Sequence, residues 1–233
     1  QNIMYLLIFT GLFLVGIPHG AMDHKTGLFS DNKKINLSFI FKYLGVMSMA
    51  YLVTDKTPMA WRGPMAAGAL QQLLQQTQWG ELDILVVDMP PGTGDIQLTL
   101  SQKVQVAGAV IVTTPQDIAL LDAQKGIEMF LKVKIPVLGI VENMAVHVCT
   151  ECGHAEHVFG DGGGQRVAAD YGTTLLGSLP LDLSIRQQGD KGQPLAVAFP
   201  DQLIAQQYRD IARSVMAALD LMHVDSGPDI EFE

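Results

Sequence analysis

The stretch Leu82-Asp83-Ile84-Leu85-Val86-Val87-Asp88-Met89-Pro90-Pro91-Gly92-Thr93-Gly94-Asp95 decides the fold. An apolar, branched run that ends in a carboxylate and then Pro-Pro-Gly reads as a parallel strand buried on both faces, with its acid at the ligand-facing edge of a sheet. An Asp at such a tip can hold Mg2+, usually through water. The amides of Gly92 and Gly94, with Thr93 between them, can approach a terminal phosphate because no side chain blocks them. This is a Walker B strand running into a switch II loop. The plainer reading, a strand-end Asp capping its own loop, uses the same residues.

Downstream the pattern repeats. Gly108 to Thr114 (GAVIVTT), Pro136 to Val141 (PVLGIV) and Thr174 to Leu179 (TLLGSL) read as further strands. Helical stretches fall between and after them: Pro64 to Gln78, Asp117 to Val133, Gly164 to Tyr171, and a long amphipathic one from Gln202 to Met222. Asp117 stands where an N-cap belongs. Strands alternating with helices predict an α/β fold of three layers, a mostly parallel sheet covered on both faces, with ligands at the carboxyl ends of the strands. Residues 223–233 read as an acidic tail.

The chain has 233 residues, 48% hydrophobic and 17% charged, with a net charge of −9. That balance argues against a general nucleic-acid binder, which needs surplus cations for the phosphate backbone. The acidity is uneven, since residues 1–43 carry four lysines and two aspartates. From Ile3 to Ile17 no residue is charged, and this predicts an apolar helix, too short to span a bilayer that asks for roughly 20 residues. It lacks the basic flank and small-residue cleavage site of a secretory signal. A second apolar run, Ile35 to Val53, carries Lys42 at its middle, so we cut it near Tyr43. Membrane contact is expected only through residues 1–43.

Two cysteines occur, Cys149 and Cys152, spaced C-x-x-C. They exclude a disulfide framework and fit a reduced, cytoplasmic compartment. Their chemistry alone leaves three readings open: an iron–sulfur ligand pair, a Cys2His2 zinc site with His154 and His157, and an inert or redox pair. In the first piece, His19, Asp23 and His24 (GIPHGAMDH, 16–24) offer iron or zinc ligands, or simply a polar helix end.

Two resemblances add to this. Residues 1–43 resemble a fragment of the Brp/Blh family of membrane β-carotene dioxygenases, whose similar Pro-His-Gly-x-x-Asp-His string binds iron. That family implies further histidines from later helices, which nothing downstream resembles. Residues 45–222 resemble the Mrp branch of the MinD/Mrp deviant-Walker ATPases. The strings that carry this are VMSMAYLV (46–53), WRGPM (61–65), LDILVVDMPPGTGDIQLTLSQ (82–102), GAVIVTTPQDIALLDAQKG (108–126), PVLGIVENM (136–144), HVCTECGH (147–154) and FGDGGG (159–164), in family order.

The Mrp resemblance implies a P-loop NTPase-type fold and an iron–sulfur cluster carrier. It implies a homodimer in which Cys149 and Cys152 of each subunit bind one bridging [4Fe-4S] cluster, delivered to recipient apo iron–sulfur proteins. Two thiolates from each of two chains make the four such a cluster takes. It also implies ATP and Mg2+, with Asp88 on the metal side, Gly92, Thr93 and Gly94 at the γ-phosphate, and Asn143 at the adenine. Trp61 and Arg62 fall near the nucleotide side of the dimer, and Gln116 and Asp117 help to line the site.

A phosphate-binding loop needs G-x-x-x-x-G-K-[ST], and the chain contains no Gly-Lys dipeptide. The family's lysine-bearing strand and helix would lie upstream of VMSMAYLV, where residues 1–43 stand. We therefore expect a junction of unlike sequences near residues 43–45, an incomplete carrier domain over 44–222, and no ATP hydrolysis. The rival functions are a fragment of a membrane carotenoid dioxygenase and a zinc-binding structural module.

Overall fold

The computed structural model describes residues 4–10, 44–48, 68, 71, 72, 74, 76, 77, 83–89 and 106–225. Six strands form one sheet: β1 (Met4–Thr10), β2 (Leu44–Ser48), β3 (Ile84–Met89), β4 (Val106–Thr113), β5 (Val137–Glu142) and β8 (Leu175–Ser178). They lie in the order β2-β3-β1-β4-β5-β8, and every pairing is parallel. A small antiparallel pair, β6 (His147–Val148) and β7 (Ala155–Glu156), stands apart. The helices described from end to end are α1 (Asp117–Lys132), α2 (Gly163–Asp170), α3 (Leu183–Asp190), α4 (Leu195–Ala198) and α5 (Leu203–Asp225), and residues 68, 71, 72, 74 and 76, inside the expected 64–78 helix, are helical too.

Alternation along β3 shows how the layers arise. Leu85, Val87 and Met89 are buried in one cluster with Ala109 and Ile111 of β4 and Leu120, Ala123, Ile127 and Phe130 of α1. Ile84 and Val86 face the other way, into a cluster with Val110, Leu138 and Leu176 under Val215 and Leu219 of α5. A strand whose two faces are both covered has no polar side to show, which explains its continuous apolar sequence. The three-layer α/β expectation holds. The four strands read from the sequence are all present, as are helices at Asp117, at Gly163 and from Leu203 onward.

Two expectations need correction. Residues 4–10, read as the start of an apolar helix, form β1, and β1 sits at the middle of the sheet, with Ile8 beside Asp88 on one side and Val110 on the other. An uninterrupted apolar run has no period, so it serves a doubly flanked strand as well as a buried helix. The N-cap of α1 is Gln116 rather than Asp117; Asp117 is the first helical residue, where its charge favours the positive helix end.

The exit from α1 is set by its last turn. Lys134 takes the left-handed conformation (φ 59°), its N–H donates to the carbonyl of Leu131, and that of Ile135 donates to Phe130. This is a Schellman motif, closed by burial of Phe130 and Ile135, and it turns the chain into β5.

Candidate functional site

The carboxyl ends of the parallel strands bring the sequence-predicted residues to one edge. Asp88 is the penultimate residue of β3, half-buried, in register with Ile8 of β1 and Ser48 of β2. Thr113 ends β4 and Thr114 follows it, both buried, and the Thr114 hydroxyl donates to the Gln116 carboxamide oxygen. Asn143 follows β5. Its backbone N–H donates to the Thr113 carbonyl at 2.7 Å, and its side-chain oxygen accepts from the Met144 N–H at 3.0 Å. The Asn143 loop is thus fixed against the tip of β4, and its side chain bonds the amide of the next residue. Met144 is left-handed there, with φ 56°.

Beyond Asn143 the chain is stitched to the segment after β8. Leu179 donates to the carbonyl of Glu142, Ala145 to Leu179, and Leu181 to Val146, all by backbone N–H. From this anchored base the β6–β7 hairpin projects. It pairs His147 with Glu156 and Val148 with Ala155, and its turn holds both cysteines. The Cys149 N–H donates to the His154 carbonyl, and the Gly153 N–H returns to the Cys149 carbonyl, each at 2.9 Å. Gly153 has φ 72°, a conformation that costs a side-chain-bearing residue energy and glycine little.

The turn aims donors at sulfur. The backbone N–H of Cys152 first, then that of Glu151, and then the Cys152 side chain hold the Cys149 thiol below its ordinary range. His147 adds to this, and desolvation opposes it. Hydrogen bonds to the charged form favour the thiolate, the species that ligates metal. Cys149 is half-buried and Cys152 exposed, so the pair faces outward.

The histidines do not join them. His157 donates from Nδ1 to the Ala145 carbonyl at 2.8 Å and lies 3.7 Å from the Asp161 carboxylate. His147 Nδ1 donates to the Leu181 carbonyl at 3.1 Å. Among the described residues, no group of three or more His, Cys, Asp or Glu is arranged to hold a metal ion. The Cys149, Cys152, His154 and His157 zinc set is therefore not assembled within one chain.

Gly92, Thr93, Gly94, Trp61, Arg62, His19, Asp23 and His24 lie outside the described residues. No described helix is long and apolar enough to cross a membrane. One residue escaped the sequence reading. Glu142, only 4% exposed, ends β5, and its Oε2 accepts the Gly164 N–H at 2.5 Å. A charge closing an otherwise apolar strand, in Val-Leu-Gly-Ile-Val-Glu, was the signal available.

Comparison with known proteins bears on this geometry. A family model described as ParA, the NUBPL iron-transfer P-loop NTPase, matches residues 19–216. An iron-sulfur cluster carrier protein of Pseudomonas fragi is 66% identical over 167 residues, 72% of this chain and 58% of that protein. One of Escherichia coli strain K12 is 58% identical over 176 residues, 76% of this chain and 48% of that protein. The chain spans about half the length of the curated relatives it matches. Among solved structures, a nucleotide-binding protein of Archaeoglobus fulgidus in complex with ADP is 28% identical with a TM-score of 0.58, covering 82% of this chain and 86% of that one.

Proposed function

From the premise that this chain belongs to the NUBPL iron-transfer family of P-loop NTPases, we propose that it carries an iron–sulfur cluster and hands it to apo iron–sulfur proteins. In this reading Cys149 and Cys152 from each of two copies hold one bridging [4Fe-4S] cluster. The carrier domain takes in residues 44–222 together with β1 (Met4–Thr10) at the middle of its sheet, the acidic tail follows α5, and the domain works in the cytoplasm.

One observation carries the reading. The hairpin presents two outward thiols, with amides lowering the first, and among the described residues no third His, Cys, Asp or Glu is placed with them to hold a metal ion. A single chain thus offers two sulfur ligands, where a cubane takes four, so a second copy completes the set. The exposed Cys152 leaves the cargo open to exchange with an incoming thiolate of the recipient.

For the nucleotide, Asp88 would face the magnesium ion, Gly92, Thr93 and Gly94 the γ-phosphate, and Asn143 the base. The register that puts Asp88 and the Thr113–Asn143 contact on one sheet edge supports that assignment. With no Gly-Lys dipeptide in the chain, the phosphates lack their lysine and its amide cradle, so nucleotide affinity should be lost.

Anaerobic reconstitution with iron and sulfide tests the proposal. The expected product is a dimer with broad visible sulfur-to-iron absorption, lost when Cys149→Ser and Cys152→Ser are combined. A colourless, zinc-loaded monomer overturns it.

A further inference from the structure

The cysteine hairpin leaves and rejoins the domain at one residue. The backbone of Glu142 ends β5 and begins the excursion, and its carboxylate, 22 positions away in sequence, receives the return at the Gly164 N–H. Gly164 belongs to the first turn of α2, which has no acidic residue of its own there, and whose N-cap, Gly162, makes no side-chain cap bond. Glu142 therefore supplies from another element the negative charge and acceptor that a helix N-terminus favours.

The returning segment is held by close fit as well. A β-carbon on Gly164 would lie 3.1 Å from both Cβ and Oε2 of Glu142. One on Gly163 would lie 2.8 Å from Leu120 Cδ1 and 3.0 Å from the Pro115 carbonyl oxygen. Gly160, at φ 106°, packs toward the same Pro115 carbonyl, and its N–H donates to the His157 carbonyl. The stretch 159–164 is wedged between the β4–α1 connection and the end of β5. The outgoing stalk, through Asn143 and Ala145, is pinned to Thr113 and Leu179.

We infer that Glu142 is a positioning residue for the cysteine pair: its carboxylate closes the 142–164 excursion and so fixes the β6–β7 hairpin relative to the Asn143 loop. The inference rests on the carrier reading for its functional meaning, and on the hydrogen bond and burial for its geometry. A charged acceptor bonded to an amide is about twice as strong as a neutral one, so charge as well as shape matters at this position.

Glu142→Gln, which keeps an acceptor oxygen, and Glu142→Ala test it by two independent readouts. In the cluster-free protein, amide hydrogen exchange over 147–156 should quicken about tenfold in the Gln variant and further in the Ala variant, while β4 and β5 keep wild-type protection. In the reconstituted protein, iron should pass to a ferrous chelator about tenfold faster in the Gln variant, in step with the freer opening of the hairpin. Unchanged hairpin exchange in the Gln variant, or a rise shared equally by the sheet strands, overturns the inference. If Glu142→Ala does not fold, the Gln variant decides alone. A wild-type chain that takes up no cluster sinks the carrier reading and leaves the exchange result standing.

Discussion

Ile211 of α5 lies directly over Gly177 of β8, so closely that a β-carbon on Gly177 would stand 2.6 Å from Ile211 Cγ1. The absent side chain is what lets the long C-terminal helix seat on the sheet and bury Val215 and Leu219. Gly177→Val should lift the helix and cost about 1–3 kcal/mol, the usual range for overpacking. Urea unfolding measures it, and wild-type stability in the variant would show that the contact is not tight.

Lys134 sits at the left-handed position of the Schellman motif after α1. A residue with a β-carbon pays about 1 kcal/mol there. Lys134→Gly should therefore raise stability by a fraction of that amount, since glycine gains chain freedom on unfolding. A fall in the urea midpoint would contradict the turn.

Burial raises the hydroxyl pKa of Tyr208 on α5. The neutral form is favoured in the folded state, so the stabilisation is intact below the unfolded tyrosine pKa and is lost as pH climbs through the higher folded value. Tyr208→Phe should flatten part of the alkaline loss of stability. An identical alkaline profile would place the hydroxyl in water.

Proline at the centre of a sheet deletes a ladder donor. Leu7 pairs with Val87 on one side and Ala109 on the other, so Leu7→Pro should cost at least about 2 kcal/mol and lower the yield of folded protein. Unaltered unfolding would remove Met4–Thr10 from the middle of the sheet.

The 233-residue polypeptide, which has no Gly-Lys dipeptide, should turn over no ATP. A coupled phosphate-release assay reads this. Robust hydrolysis abolished by Asp88→Asn would show that another cation does the lysine's work.

Much of the architecture was legible because a sheet covered on both faces writes itself as short apolar runs, as at Ile84–Met89 and Val137–Glu142. What escaped did so for physical reasons. Met4–Thr10 carries no period to separate strand from helix. The β6–β7 hairpin has two residues per strand, too short for any alternation to show. Its form comes instead from the Cys149–His154 and Gly153–Cys149 bonds, which spacing alone does not reveal. At α1 the acidic side chain drew attention to Asp117, while the backbone made Gln116 the boundary. The cysteine pair was visible at once, but whether the histidines beside it join it depended on their folded positions, and among the described residues no group of three ligands forms.

The central plank of the sheet, Met4–Thr10, falls before residue 19, where the family match begins. A slot flanked on both sides by parallel neighbours asks its tenant for greasiness and length, and the backbone does the bonding whatever the side chains are. A generic filler can keep the frame upright while the loop tips, where sulfur and carboxylate are mounted, keep their own specification.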